Sequence, residues 1–161
     1  FAQAIEHFDP SAAGLTLSEG VLMDPQQRFL LEKARSGLAL VVPGNIRSWA
    51  VTVGISGAQY QRLLLDAPSS PYLATAAALS VSAGRLSYVY AMVGPAMSVD
   101  TACSSALVAT YTAQCMISDT ASTGALVAGV NMLMSEATTL AFTTAHMLSL
   151  EGRCKTLDAA A

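Results

Sequence analysis

The chain has 161 residues, enough for one domain with a sizeable core, and its 8 basic and 11 acidic residues give a net charge of −3. No basic run is present, which argues against nucleic acid as a partner. A membrane span needs about 20 consecutive apolar residues, and the longest apolar region is broken by Gly94, Pro95 and Asp100, so the sequence also argues against a membrane protein. Only 12% of the residues are charged and 53% are apolar. Between Leu86 and Leu150 the only charged residues are Asp100, Asp119 and Glu136, so we expect that stretch to be largely covered by other protein.

The first predicted element is a helix that begins at Asp24 and Pro25. Asp24 can cap the helix, Pro25 suits its first position, and Gln27 is expected to complete a capping box with Asp24. The helix is predicted to end near residue 34. Its buried side is expected to carry Phe29, Leu30, Ala34 and Leu38.

Strands and helices then alternate along the chain. Strands are predicted over 51–55, 96–99 and 125–130, and helices over 59–65, 74–92 and 106–118. The strands are continuously apolar, which is typical of a sheet covered on both faces, so the fold class is α/β and layered. The last of these helices is apolar nearly all round, and we expect it to lie between two layers.

The most informative stretch is residues 99–107, where an apolar strand meets a turn of small residues that carries Cys103. At the start of the following helix, unpaired N–H groups and the positive end of the helix dipole converge. That environment favours the thiolate, which is the nucleophilic form of cysteine. The pattern therefore predicts a reactive Cys103. Asp100, in such an apolar region, should be hydrogen-bonded and hold the turn, with Arg85 as a candidate partner.

Less specific interpretations apply to the other candidate residues. Cys115 and Cys154 are interpreted as packing residues, and the spacing of the three cysteines fits neither disulfide pairing nor a metal site. Free thiols indicate a reducing compartment, the cytoplasm. His146 could serve as the base of a Cys/His hydrolase with Cys103, and His7 is interpreted as a surface residue.

Four motifs occur in a fixed order: MDPQQR at 23–28, GRLSY at 84–88, DTACSS at 100–105 and GRCKT at 152–156. With these motifs the chain resembles the β-ketoacyl synthase (ketosynthase) domain of type I polyketide synthases, in the thiolase-like superfamily. The resemblance extends along nearly the whole sequence and implies a five-layer αβαβα sandwich. We expect residues 1–161 to be a partial ketosynthase domain, the N-terminal-half segment that contains the nucleophile, with the C-terminal half absent.

The resemblance implies a specific chemistry. Cys103 takes an acyl chain from the phosphopantetheine arm of an acyl carrier protein, and its backbone N–H also donates to the oxyanion. A malonyl-type extender then loses carbon dioxide and condenses with the acyl group. The histidines of that step belong to motifs beyond residue 161 and match neither His7 nor His146, so we expect the isolated chain to be inactive. Phe142 and Met132 are implied to lie near the acyl channel, with simple core packing as their alternative.

The implied partners are the acyl and malonyl-type thioesters of the carrier protein and a second copy of the chain in a homodimer. No cofactor is implied other than the phosphopantetheine of the carrier, and no metal. Two alternatives remain open, namely the ketosynthase domain of a type I fatty acid synthase and a non-elongating ketosynthase that only transfers the acyl group. A structural partner protein that sets chain length is disfavoured, because Cys103 is retained.

Overall fold

A parallel sheet of three strands organises the part of the chain that the computed structural model describes, residues 8–41, 44–57, 59–154, 157 and 159. The strands are β1 (Ala50–Ile55), β2 (Ala96–Val99) and β3 (Ala125–Val130), in the order β2-β1-β3. All three predicted strands are confirmed. The central strand β1 is buried along its whole length, as expected for a strand of a sheet covered on both faces.

Seven helices surround this sheet in the described residues. They are α1 (Leu17–Leu22), α2 (Pro25–Leu38), α3 (Gln59–Leu63), α4 (Leu73–Ala76), α5 (Val81–Val89), α6 (Ser105–Asp119) and α7 (Glu136–Thr144). Short 3₁₀ turns occur at Pro10–Ala13 and Ala102–Ser104. Helices α2 and α5 contact one face of the sheet and α6 contacts the other, so the predicted α/β layering is confirmed. No described helix is long and apolar enough to cross a membrane.

The buried face of α2 differs in part from the predicted one. Leu30 and Ala34 are buried as expected, and Leu31, which was not predicted to be buried, is only 2% exposed. Phe29 and Leu38 are half-buried. The helix also continues to residue 38 instead of ending near residue 34.

The predicted capping box at the start of α2 is wrong. The Asp24 carboxylate does accept a hydrogen bond from the Gln26 N–H at 2.7 Å, and Pro25 occupies the first helical position. However, the Asp24 N–H donates to the Ala76 carbonyl at 2.8 Å, and the Gln27 side chain turns into the core. A buried amide needs tertiary partners, so packing overrides the local motif.

The predicted long helix over 74–92 is two helices, α4 and α5. Carbonyl groups at the end of α4 accept hydrogen bonds from other elements: Gln27 Nε2 lies 3.2 Å from the Ala78 oxygen, and Arg85 Nη2 lies 3.4 Å from the Thr75 oxygen. These tertiary bonds involve carbonyls in and just after the last turn of α4. The helix breaks at residues 77–80.

Arg85 takes its partners from α1, α2 and α4 instead of from Asp100. It is buried on α5, forms an ion pair with Glu19, and its Nε donates to Gln27 Oε1 at 2.7 Å. A buried guanidinium requires such pairing. This buried polar network joins α1, α2 and α5 on the face of the sheet opposite α6.

Helix α6 buries only one face within the described residues. Ala109 and Ala113 pack toward the sheet, whereas Leu107 and Tyr111 on the outer face are 74% and 68% exposed. The expectation that this helix lies between two layers stays a prediction.

Candidate active site

Cys103 lies at the tip of the turn that connects β2 to α6. It occupies the middle of the 3₁₀ turn Ala102–Ser104, so it directly precedes α6, and the residue is exposed. Ala102 has a φ of 55°, in the left-handed region that costs a residue with a side chain about 1 kcal/mol or more. The turn therefore presents the thiol on a strained backbone that its surroundings must hold in place.

Every polar side chain of the DTACSS motif has a hydrogen-bonding role in this turn. Asp100 Oδ1 accepts from the Ala102 N–H at 3.0 Å, which confirms that Asp100 holds the turn. The buried Ser105 Oγ accepts from the Thr101 N–H at 2.8 Å and donates to the Ala102 carbonyl at 2.6 Å. Ser104 Oγ donates to the Thr101 carbonyl at 2.8 Å. These bonds offset the strain at Ala102 and fix the position of the cysteine.

Two glycines allow α6 to approach the sheet closely. Gly54 of β1 and Gly129 of β3 are paired in the sheet. A Cβ added to Gly54 would lie 2.5 Å from the Ala106 nitrogen, and one added to Gly129 would lie 2.6 Å from the Ala106 Cβ. Any larger residue at these positions would push the start of α6 away. The glycines thus seat Cys103 at the carboxyl ends of β1 and β3.

A buried threonine ties α6 to the same strand. Thr52 is 0% exposed, and its Oγ1 donates to the Ala109 carbonyl at 3.0 Å. This bond links β1 to the middle of α6, while Gly54 accommodates the start of the helix.

A cleft of about 580 Å³ opens beside the thiol. Its wall includes Cys103, Asn131, Phe142 and Met147, and most of its lining residues are small or apolar. The structure therefore brings the predicted Phe142 to the same cleft as Cys103. Met132 is not among the lining residues; it is half-buried, and its N–H donates to Gln26. A cleft of this kind can hold an acyl chain next to a nucleophile.

A larger cavity, of about 740 Å³, shares Met147 with the cleft at Cys103. It is lined by one consecutive segment, residues 147–154, and does not include Cys103. Within the described residues only this segment lines the cavity, whereas residues from several elements line the cleft at Cys103, so the cleft is the better candidate for an active site.

The family comparison decides how this site is interpreted. The model of the β-ketoacyl synthase N-terminal domain matches residues 1–161, the whole chain. The chain belongs to this family.

Curated relatives of this β-ketoacyl synthase chain include large polyketide synthases. It is 37% identical to the spectinabilin polyketide synthase system protein NorC of Streptomyces orinoci, across 100% of the chain and 7% of that protein. It is 38% identical to the polyketide synthase GfsE of Streptomyces halstedii, across 96% of the chain and 4% of that protein. The chain thus spans only a small part of these relatives.

Solved ketosynthase structures share the fold. The ketosynthase from module 6 of the bacillaene synthase of Bacillus subtilis 168 superposes with a TM-score of 0.84 at 30% identity, over 99% of this chain and 28% of its own. An oxazolomycin ketosynthase domain of Streptomyces albus gives a TM-score of 0.78 at 26% identity, over 97% and 28%. The predicted thiolase-like fold class is confirmed.

The other titratable candidates of this β-ketoacyl synthase chain are not among the described residues that line the cleft. Cys115 is half-buried on α6, and Cys154 is exposed in the segment that follows α7. His146, the base of the hydrolase alternative, is exposed and is not among the residues that line the cleft with Cys103. His7 lies outside the described residues. Within the described part of the chain, no group of three or more His, Cys, Asp or Glu could hold a metal ion.

Proposed function

We propose that the chain is the N-terminal-half segment of a β-ketoacyl synthase of polyketide biosynthesis, with Cys103 as its acyl-accepting nucleophile. The observation that carries the proposal is an exposed thiol on a strained strand-to-helix turn beside a cleft of about 580 Å³, in a chain of this family. The chain corresponds to 28% of the compared ketosynthases, which supports a partial domain that lacks its C-terminal half.

In the first step the acyl group moves from the carrier protein to Cys103. The thiolate attacks the carbonyl carbon of the acyl thioester on the phosphopantetheine arm, and the carbonyl electron pair moves to oxygen. The Cys103 N–H, at the amino end of the helical segment, donates to that oxyanion. The bond to the carrier sulfur then breaks, and the carrier leaves as a thiol after it takes up a proton. The acyl chain extends into the cleft past Phe142.

In the second step the chain is elongated. A malonyl-type extender on the carrier loses carbon dioxide, and the electron pair of the broken carbon–carbon bond forms an enolate. The enolate carbon attacks the carbonyl carbon of the acyl group on Cys103, a new carbon–carbon bond forms, and the cysteine leaves as a thiolate. The family resemblance implies histidines for this step that match neither His7 nor His146.

Exposed apolar side chains on the outer face of α6 support the proposal that other protein covers this helix. Leu107 and Tyr111 are mostly exposed there, although both belong to the helix that follows the nucleophile. Burial of such apolar surface is favourable by roughly 25 cal/mol per Å². We infer that the C-terminal half, together with a second copy of the chain, covers this face. The acyl carrier protein is the remaining partner.

Polyketide synthesis is favoured over the fatty acid alternative by the relatives, because the curated proteins compared above belong to polyketide synthases. The non-elongating alternative differs only in the second step. Both interpretations retain Cys103 as the acyl acceptor.

Condensation by the ketosynthase that contains this chain tests the proposal. With an acyl-pantetheine donor and a malonyl carrier protein, we expect one β-ketoacyl product per carbon dioxide released. Cys103→Ala should abolish the product, whereas Cys115→Ala should retain it as the matched control. Product formation by Cys103→Ala would refute the proposal, and acylation without condensation in the parent enzyme would favour the non-elongating alternative.

A further inference from the structure

Two glutamine side chains hold the loop that follows β3, residues 131–135. Gln26 Oε1 accepts a hydrogen bond from the Met132 N–H at 3.2 Å. Gln59 Oε1 accepts one from the Met134 N–H at 2.9 Å. The backbone N–H groups of two alternate loop residues are therefore bound by side chains from two different helices, α2 and α3.

The loop needs these partners because it has left the sheet. Strand β3 ends at Val130, and in the described residues it is an outer strand of the sheet that pairs with β1. Backbone N–H groups without a strand partner are costly to bury unless another acceptor reaches them. Gln26, which is only 1% exposed, and the half-buried Gln59 supply these acceptors.

The loop also forms the wall of the proposed acyl site. Asn131 lines the cleft at Cys103 and also a neighbouring pocket of about 310 Å³, and Phe142 lines both. Leu133 lines that second pocket together with Gln59. The loop ends at Ser135, whose hydroxyl caps α7, the helix that carries Phe142. The placement of the loop thus sets the positions of the walls between the two pockets.

We propose that Gln26 and Gln59 are positioning residues that shape this wall and thereby determine which acyl chains Cys103 accepts. The proposal rests on the function proposed above. Gln26 lines neither pocket and so acts only through the loop, whereas Gln59 holds the loop and also lines the second pocket. Asn131 and Phe142 line both pockets, so in this proposal an acyl chain that extends past them from the cleft enters the second pocket. Loss of a glutamine therefore affects long chains more than short ones.

The test compares two variants of Gln59 in the ketosynthase that contains this chain. Gln59→Leu removes the acceptor at similar volume, whereas Gln59→Glu keeps an oxygen for the Met134 N–H. The assay measures acylation of Cys103 by acetyl- and by hexanoyl-pantetheine. We expect Gln59→Leu to lower the hexanoyl-to-acetyl selectivity in kcat/KM by about three- to tenfold, which corresponds to about 0.7 to 1.4 kcal/mol for a lost hydrogen bond. Gln59→Glu should restore the selectivity toward the parent value.

Three results would overturn the inference. They are a parental selectivity in Gln59→Leu, an equal loss with both probes, and no restoration by Gln59→Glu. If Gln59→Leu does not fold, Gln26→Met removes the other acceptor. The same fall in the hexanoyl-to-acetyl ratio of kcat/KM is then expected for Gln26→Met, and a parental ratio would overturn the inference.

Hydrogen exchange separates this inference from the proposed function. Whether or not the parent enzyme is acylated, the Met134 amide should exchange faster in Gln59→Leu than in the parent. Unchanged exchange overturns the positioning role, whereas a parent enzyme that neither probe acylates at Cys103 refutes the proposed function instead.

Discussion

A methyl group at Gly54 should displace Cys103. In Gly54→Ala the new Cβ would lie 2.5 Å from the Ala106 nitrogen and from the Ser105 carbonyl carbon, both of which are main-chain atoms. An ordinary contact of about 3.5 Å requires the start of α6 to move by about 1 Å, because no side chain can rotate away. We expect this overpacking to cost about 1–3 kcal/mol of stability. A misplacement of about 1 Å at a reacting group can lower the rate roughly 100-fold.

The assay is the rate of acyl transfer to Cys103 from an acyl-pantetheine, followed by intact-protein mass, in the ketosynthase that contains this chain. Gly84→Ala is the matched control, since Gly84 is an exposed residue of α5 and a Cβ there meets no heavy atom within 4 Å. The control should acylate at the parent rate and gain about 0.5–1 kcal/mol of stability from the better helix former.

The reasoning fails on one specific result. If Gly54→Ala folds, with a circular dichroism spectrum like that of the parent, and still acylates within twofold of the parent rate, then close seating of α6 on β1 does not position the thiol.

Two further predictions concern buried polar groups. Ser105→Ala leaves the Thr101 N–H without its acceptor. We therefore expect the free energy of unfolding in urea to fall by about 1–3 kcal/mol and the acylation of Cys103 to slow. An unchanged unfolding midpoint and an unchanged acylation rate would contradict the role assigned to this hydroxyl. For Asp24, burial raises the pKa of the carboxyl above 3.8, although hydrogen bonds from Gln26 oppose the rise. The folded state thus binds this proton more tightly than the unfolded state does, and its stabilising contribution, present below pH about 3.8, is lost as the pH rises through the folded pKa. Relative to the parent, Asp24→Asn should therefore gain stability in urea unfolding as the pH rises from about 3.8 through the folded pKa of Asp24. A difference that falls or stays constant with pH would show that the sign is wrong.

Local signals were sufficient for the strands and for the position of the nucleophile turn. The bounds of β2 and β3 match those predicted from the sequence. Cys103 lies between β2 and α6, as the pattern predicted, although in a 3₁₀ turn that directly precedes the helix. These features depend on neighbours in sequence, which is why the sequence predicts them.

The failures of prediction occur where distant residues compete for the backbone. The side chain of Gln27 is 58 residues away in sequence from Arg85, its partner in the core, and no local motif shows that contact. The same network includes carbonyls at the break in the helix predicted over 74–92. Helices α1 and α7 were not predicted at all, although Thr16 and Ser135 cap them with side-chain oxygens, a signal that a search for caps could have found.

The candidate site was predicted unevenly for the same reason. Cys103 carries its signal in its immediate neighbours, and Phe142 lies in the cleft with it. Gly54 and Gly129 have no local signal for their role, because only the packing of α6 across β1 and β3 shows why a side chain does not fit. The links from Gln26 and Gln59 to the loop 131–135 likewise span 106 and 75 residues of sequence, respectively.

The most direct measurement is the location of the acyl group after the ketosynthase that contains this chain reacts with an acyl-pantetheine. Peptide mass mapping should find the acyl thioester on Cys103 and leave Cys115 and Cys154 unmodified. An acyl group on Cys115 or Cys154, with Cys103 still a free thiol, would contradict the account.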